Sequence, residues 1–234
     1  MIDGIIFDKD GTLFDFRRTW GEWAQRLLTD LGAGDADRAR TLGAVIGYDL
    51  AQGEFAWDSP VIAGTPVEIS ALLIPHLPGW EQGDLIARMN ALAASVALAE
   101  AVPLRPLLEG LRASGLRIGL VTNDAEAPAH AHLQAAGVHD LFDFVAGCDS
   151  GHGAKPAPGQ LLAFAHAVGL APARVVMVGD STHDLHAGQA AGMWRVGVLT
   201  GIAEAPELTP HADTVLPDIG HLPGWISSLT TPTT

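Results

Sequence analysis

Six short apolar runs, separated by stretches of helical pattern that end in glycine, are what most constrain the fold of this chain. The runs are IIF before Asp8, LRIGLVTND (116–124), FDFVAG (142–147), RVVMVGDS (174–181), WRVGVLTG (194–201) and ADTVLP (212–217). They are rich in Val, Ile and Leu and mostly lack polar alternation, as strands buried on both faces do. Between them, LLEGLRASG (107–115), APAHAHLQAAG (127–137), APGQLLAFAHAVG (157–169) and THDLHAGQAAG (182–192) have helical patterns, each closed by Gly. The recurrence of strand, helix, Gly and strand predicts an α/β fold with a doubly wound, Rossmann-like parallel sheet.

Residues 15–102 break that rhythm. TWGEWAQRLLTDLG (19–32) and DLIARMNALAASVALAEA (84–101) read as helices, and no convincing central strand is visible between them. Trp20, Trp23, Trp57 and Trp80, four of the six tryptophans, lie in this stretch, as does Tyr48, the single tyrosine. The expectation is a mostly helical insertion at 15–102 in a core formed by 1–14 and 103–234, with Pro103 and Pro106 marking the return to the sheet.

Composition narrows the partners. Of 234 residues, 48% are hydrophobic and 17% charged, which is enough apolar content for a sizeable core. The net charge of −14 and the lack of a basic cluster beyond Arg17-Arg18 argue against nucleic acid or an anionic membrane as partner. A single cysteine, Cys148, suits a reducing compartment. With no long apolar span and no basic leader, the chain reads as cytoplasmic. The polar tail SSLTTPTT (227–234) is expected to fray.

Ligands of an open α/β sheet sit beyond the carboxyl ends of its strands. There the sequence has Asp8-Lys9-Asp10-Gly11-Thr12, then Thr122-Asn123, then Lys155 in GHGAKPAP, then Asp180-Ser181-Thr182-His183-Asp184. Asp8, Asp10, Asp180 and Asp184 would converge at one sheet edge, where they repel unless a cation neutralises them. Oxygen-only donors suit a hard ion, and Mg2+ is the usual partner of phosphate chemistry. Only two lysines exist in the chain, Lys9 and Lys155.

Four segments, DKDGT, VTN, Lys155-Pro156 and GDSTHD, occur in the order of the four motifs of the haloacid dehalogenase superfamily, and the chain resembles its helical-cap, phosphoglycolate-phosphatase-like subgroup. The resemblance spans nearly the whole chain and makes 15–102 the cap. It implies a Mg2+-dependent phosphomonoester hydrolase acting on a small phosphorylated metabolite. Asp8 would be the nucleophile, forming an aspartyl-phosphate, and Asp10 the general acid and base. Thr122 and Lys155 would hold the phosphoryl oxygens, with Asn123 assisting. Asp8, Asp180, the Asp10 carbonyl and Asp184 would serve the metal, Asp184 through water or by placing Lys155. The acid at position 10 argues against the family's dehalogenases. The absence of lysine from 15–102 argues against its phosphonatases. Phe16 stands where the subgroup often has a small polar residue, a departure that bears on phosphoglycolate as the substrate.

Two other outcomes stay open: a phosphosugar mutase of the same fold, and a regulatory domain that holds Mg2+ and phosphate without turnover. Arg17 and Arg18 read as a solvated helix start or as partners of a substrate carboxylate or second phosphate. Trp20 and Trp23 read as cap core, Cys148 as a small buried residue, and His183 and His186 as helix-face residues. Monomer and homodimer are both open.

Overall fold

The computed structural model describes residues 2–230. In chain order its main elements are β1 (Gly4–Phe7), α1 (Phe16–Gly32), α2 (Ala36–Val45), β2 (Tyr48–Asp49), β3 (Glu54–Phe55), α3 (Pro66–Leu73), α4 (Gln82–Ala93), α5 (Leu104–Ala113), β4 (Arg117–Val121), α6 (Glu126–Ala135), β5 (Phe144–Ala146), α7 (Gly159–Ala167), β6 (Val175–Gly179), α8 (Thr182–Ala191), β7 (Trp194–Val198), α9 (Ala205–Leu208), β8 (Thr214–Leu216) and α10 (Leu222–Thr230).

Six strands form one parallel sheet in the order β5-β4-β1-β6-β7-β8. All six strands expected from the apolar runs are present, and the fold is the doubly wound α/β class. The chain builds outward from β1 on one side through β4 and β5, then crosses to β6 on the other. The reversal point therefore lies at β1, where a crevice opens at the strand ends. β1 feeds both layers: Ile5 and Phe7 pack with Leu104, Leu108 and Leu111 of α5, while Ile6 packs with Leu161 and Phe164 of α7. All three β1 side chains are fully buried, each stabilising the sheet by about 2 kcal/mol.

A separate apolar cluster joins the helices between β1 and α5. Phe16, Trp20, Trp23, Leu27, Leu28 and Leu31 of α1 meet Ile69 and Leu73 of α3 and Leu85, Met89 and Leu92 of α4. Trp23 Nε1 donates to the Met89 carbonyl at 3.1 Å, so this fully buried indole is satisfied, whereas the buried Trp20 Nε1 has no partner. The outgoing and returning chains run beside one another: Asp15 N–H donates to the Ala99 carbonyl at 2.8 Å and Ala101 N–H to the Leu13 carbonyl at 2.9 Å.

Some local expectations are corrected. The helix expected over 84–101 ends at Ala93. Ser95 spends its N–H and its hydroxyl on the Leu92 carbonyl, and the chain then extends to pair with 13–15. The stretch between the two expected helices holds α2, α3 and a short antiparallel β2–β3 pair. α5 begins at Leu104 rather than Leu107, because Pro106 falls in the first turn, where a missing N–H removes no helix bond. Of the tail expected to fray, residues 227–230 are helix, and 231–234 lie outside the described residues.

Candidate active site

Asp8 follows β1 directly, and its N–H donates to the Val178 carbonyl of β6 at 2.9 Å, which pins the strand end. The loop after it closes on itself: Leu13 and Phe14 N–H both donate to the Lys9 carbonyl, and Gly11 N–H to the Phe14 carbonyl at 2.7 Å. Gly11 turns with φ +79°, and a Cβ there would come within 2.3 Å of Asp180 Oδ2. Gly201 faces the same carboxylate, where a Cβ would lie 1.7 Å from Oδ2. Both glycines leave room for Asp180 to stand beside the end of β1.

Asp180 follows β6 directly, and Asp184 lies in the first turn of α8. Ser181 caps that helix, and Asp184 Oδ2 accepts from its N–H at 3.1 Å and its hydroxyl at 2.7 Å. The other oxygen, Oδ1, accepts from Lys155 Nζ at 2.6 Å. Lys155 also contacts Asp8 Oδ1 and donates to the Val121 carbonyl at 3.2 Å. One carboxylate thus caps a helix and aims the lysine.

Asp8, Asp180 and Asp184 are all buried, and one oxygen from each lies within 4.8 Å of the others. Lys155 is the ammonium that faces them. Burial, then the charges of Asp184 and Asp10, push the Asp8 carboxyl up to about 7 against the pull of Lys155. Burial, then Asp8 and Asp184, hold Asp180 well above the usual carboxylate range. Burial opposes the charge on Lys155, but Asp184 and Asp8 outweigh it and raise its pKa. Three acids facing one ammonium leave negative charge that a further cation would relieve, and an all-oxygen donor set fits a hard divalent ion.

Asp10 stands outside this trio. Its Oδ2 lies 3.2 Å from Lys9 Nζ, and its Oδ1 is buried without a hydrogen-bond partner. Asp8, Asp10, Thr122, Asn123, Lys155, Asp180 and Asp184 nevertheless line one cavity of about 50 Å3, together with Phe16, Trp20, Trp23 and Met89. That is room for a few waters or a small tetrahedral anion. Thr122 Oγ1 accepts from Asp124 N–H at 3.0 Å. The Asn123 amide is engaged on both sides: it accepts from Lys155 N–H at 2.9 Å and donates to the carbonyls of Lys155 at 2.9 Å and Ala63 at 2.8 Å. It therefore joins the loop carrying Lys155 to the segment before α3.

Arg17 and Arg18 part company. Arg17 lines a neighbouring cavity of about 1050 Å3 with Trp57, Glu68, His183, Glu204 and Glu207, and this cavity shares Lys155 and Asp180 with the first. Arg18 is exposed and lines neither. Trp20 and Trp23 belong to the helical cluster and to the cavity wall at once. His183 reaches the cavity, whereas His186 faces His211 at 3.3 Å, so they share no site. Burial, then Asp149, pushes the half-buried Cys148 thiol up to about 11, far from a reactive thiolate.

Sequence reasoning missed a second polar cluster. Lys9 is fully buried and reaches Asp124 Oδ2 at 2.5 Å and His132 Nδ1 at 3.1 Å. A signal was present: a lysine between two acids that follow a core strand, in a chain whose other basic residues, Lys155 apart, are arginines.

Comparison with known proteins shows the family and the fold. The family model for haloacid dehalogenase-like hydrolases matches residues 2–192. The phosphoglycolate phosphatase of Rhodospirillum rubrum is 28% identical over 234 residues, covering 97% of this chain and 91% of that protein. The phosphoglycolate phosphatase of Escherichia coli K12 is 30% identical over 217 residues, covering 86% and 82%. CbbY from Rhodobacter sphaeroides, solved in complex with phosphate, superposes with a TM-score of 0.71 at 22% identity, covering 95% of this chain and 96% of that one. At that identity the likeness speaks for the fold.

Proposed function

The chain belongs to the haloacid dehalogenase-like hydrolase family, and on that premise we propose that it is a Mg2+-dependent phosphomonoester hydrolase of a small phosphorylated metabolite. One observation carries this reading: a buried carboxylate, Asp8, gripped by Lys155 and crowded by Asp180 and Asp184, shares a phosphate-sized cavity with a second acid that keeps one oxygen free. The names of the phosphatase relatives support it.

In this reading Asp8 attacks phosphorus and carries the phosphoryl group as an aspartyl-phosphate. Asp10 gives a proton to the departing oxygen and later takes one from the attacking water. Lys155 and Thr122 hold the phosphoryl oxygens, and Asn123 holds the Lys155 backbone in place. Asp8, Asp180 and the Asp10 carbonyl would hold Mg2+, with Asp184 fixing Lys155 beside it. Bound Mg2+ would neutralise charge on the acids and the phosphoryl group, so that an acidic protein can accept a dianion. Phosphoryl transfer asks mainly for such alignment and charge balance.

Residues 15–102 act as a cap over the site. They supply Phe16, Trp20, Trp23 and Met89 to the inner cavity and Arg17 and Trp57 to the outer one, so they choose the leaving group and exclude water. In this reading Arg17 rather than Arg18 meets an anionic part of the substrate, since Arg17 lines the outer cavity and Arg18 lines neither. The protein works in the cytoplasm on a soluble metabolite. Release of phosphate from 4-nitrophenyl phosphate, with and without Mg2+, tests the reading. Metal-dependent release that Asp8→Asn abolishes is expected. Equal release by both proteins would refute it.

A further inference from the structure

We propose that Lys9 is the positioning residue of Asp10: its buried ammonium holds one carboxylate oxygen so that the other faces the substrate's leaving oxygen. The proposal rests on the phosphomonoesterase reading of the same site. A carboxylate on a short, rotatable side chain has no fixed aim unless something selects it. Asp10 Oδ2 lies 3.2 Å from Lys9 Nζ, while its Oδ1 is buried, has no partner and belongs to a residue lining the cavity. One oxygen is anchored and the other is left for the reaction.

Lys9 is itself held from every side. Its Nζ lies 2.5 Å from Asp124 Oδ2, 3.1 Å from His132 Nδ1 and 3.2 Å from Asp10 Oδ2, three acceptors for a group with three hydrogens. Asp124 is fixed in turn by Ala125 N–H at 2.7 Å. His132 Nε2 lies 2.7 Å from the Ala93 carbonyl, which can only accept. Nε2 therefore carries the ring proton, and Nδ1 is free to accept from Lys9. The Trp20 ring centroid is 5.5 Å from Nζ. Ala93 ends α4 and Trp20 lies in α1, so the sheet and the helical insertion together set the aim of Asp10. Arginine or a neutral side chain would not match three acceptors converging on one point.

The step concerned is transfer of the phosphoryl group to the enzyme. A carboxylate oxygen of Asp8 bonds to phosphorus, the P–O bond to the leaving alcohol breaks with its electron pair on that oxygen, and the proton on Asp10 passes to it. Protonation matters greatly for an alkyl leaving group and little for 4-nitrophenolate. The value of kcat/KM covers events only through departure of that group, and a ratio of two substrates in one sample is independent of the folded fraction.

The test compares kcat/KM for 4-nitrophenyl phosphate and a simple alkyl phosphate in wild type, Lys9→Met, Asp124→Asn and Lys9→Met/Asp124→Asn. The double variant removes the Lys9–Asp124 charge pair together, so that Asp124 is not left as an unpaired buried carboxylate, and it remains a folded reference if Lys9→Met alone does not fold. The variants lacking Lys9 are expected to lose at least about tenfold more on the alkyl than on the aryl ester. Equal losses on both esters in the double variant would overturn the proposal while leaving the phosphatase reading intact. No turnover of either ester by wild type would overturn both.

Discussion

Asp8, the proposed nucleophile, is a burden on the fold, and removing its charge should make the metal-free protein more stable. Asp8 is buried, and its carboxyl is raised from 3.8 to about 7 by burial and by Asp184 and Asp10. Between these two values the folded state binds more protons than the unfolded chain, so stability falls as pH rises through that window. At about 1.4 kcal/mol per pH unit, the gap corresponds to a penalty on the order of 4 kcal/mol once pH exceeds 7. Asp8→Asn keeps the shape of the neutral acid without the charge, and Lys155 keeps Asp184 and the Val121 carbonyl as partners. In urea unfolding with EDTA at pH 8, Asp8→Asn should exceed wild type by up to about 4 kcal/mol, shrinking to about 2 kcal/mol at pH 5. Mg2+ at pH 8 should narrow the difference by stabilising wild type more. An Asn variant no more stable than wild type in EDTA at pH 8 would refute the account of the site as charge-strained.

Two further outcomes follow from packing. Gly201→Ala places a Cβ 1.7 Å from Asp180 Oδ2, so that carboxylate must turn away; the Mg2+ concentration for half-maximal activity should rise by about tenfold or more, and an unchanged Mg2+ titration would remove Asp180 from the metal site. Leu27→Ala empties a fully buried position of the helical cluster and should cost about 3 kcal/mol in urea unfolding, whereas a loss under about 1 kcal/mol would show that this cluster does not unfold with the rest.

Much of this was open to reading because it is local. An apolar run that stops at a polar residue marks a strand end, so Asp8, Thr122 and Asp180 could be placed on the sheet edge from neighbouring residues alone. The start of the helix between Pro66 and Leu73 is also marked locally, since Thr65 and Glu68 form a capping box with Pro66 at the first position, although its apolar pattern is short. The end of α4 was not legible, because Ala94 to Ala101 has good helical residues and is stopped by pairing with distant chain at 13–15.

The sequence by itself therefore determined the strand rhythm, the order of the acids and the two places where lysine was kept. Only the tertiary structure decided what those lysines do. Lys155 meets Asp8 across 147 positions, and Lys9 meets Asp124 across 115 and His132 across 123. The physical reason is that a charge can be buried only where partners converge on it in space. That convergence comes from the winding of β1, β4 and β6 and from the return of α4, and residue spacing does not record it.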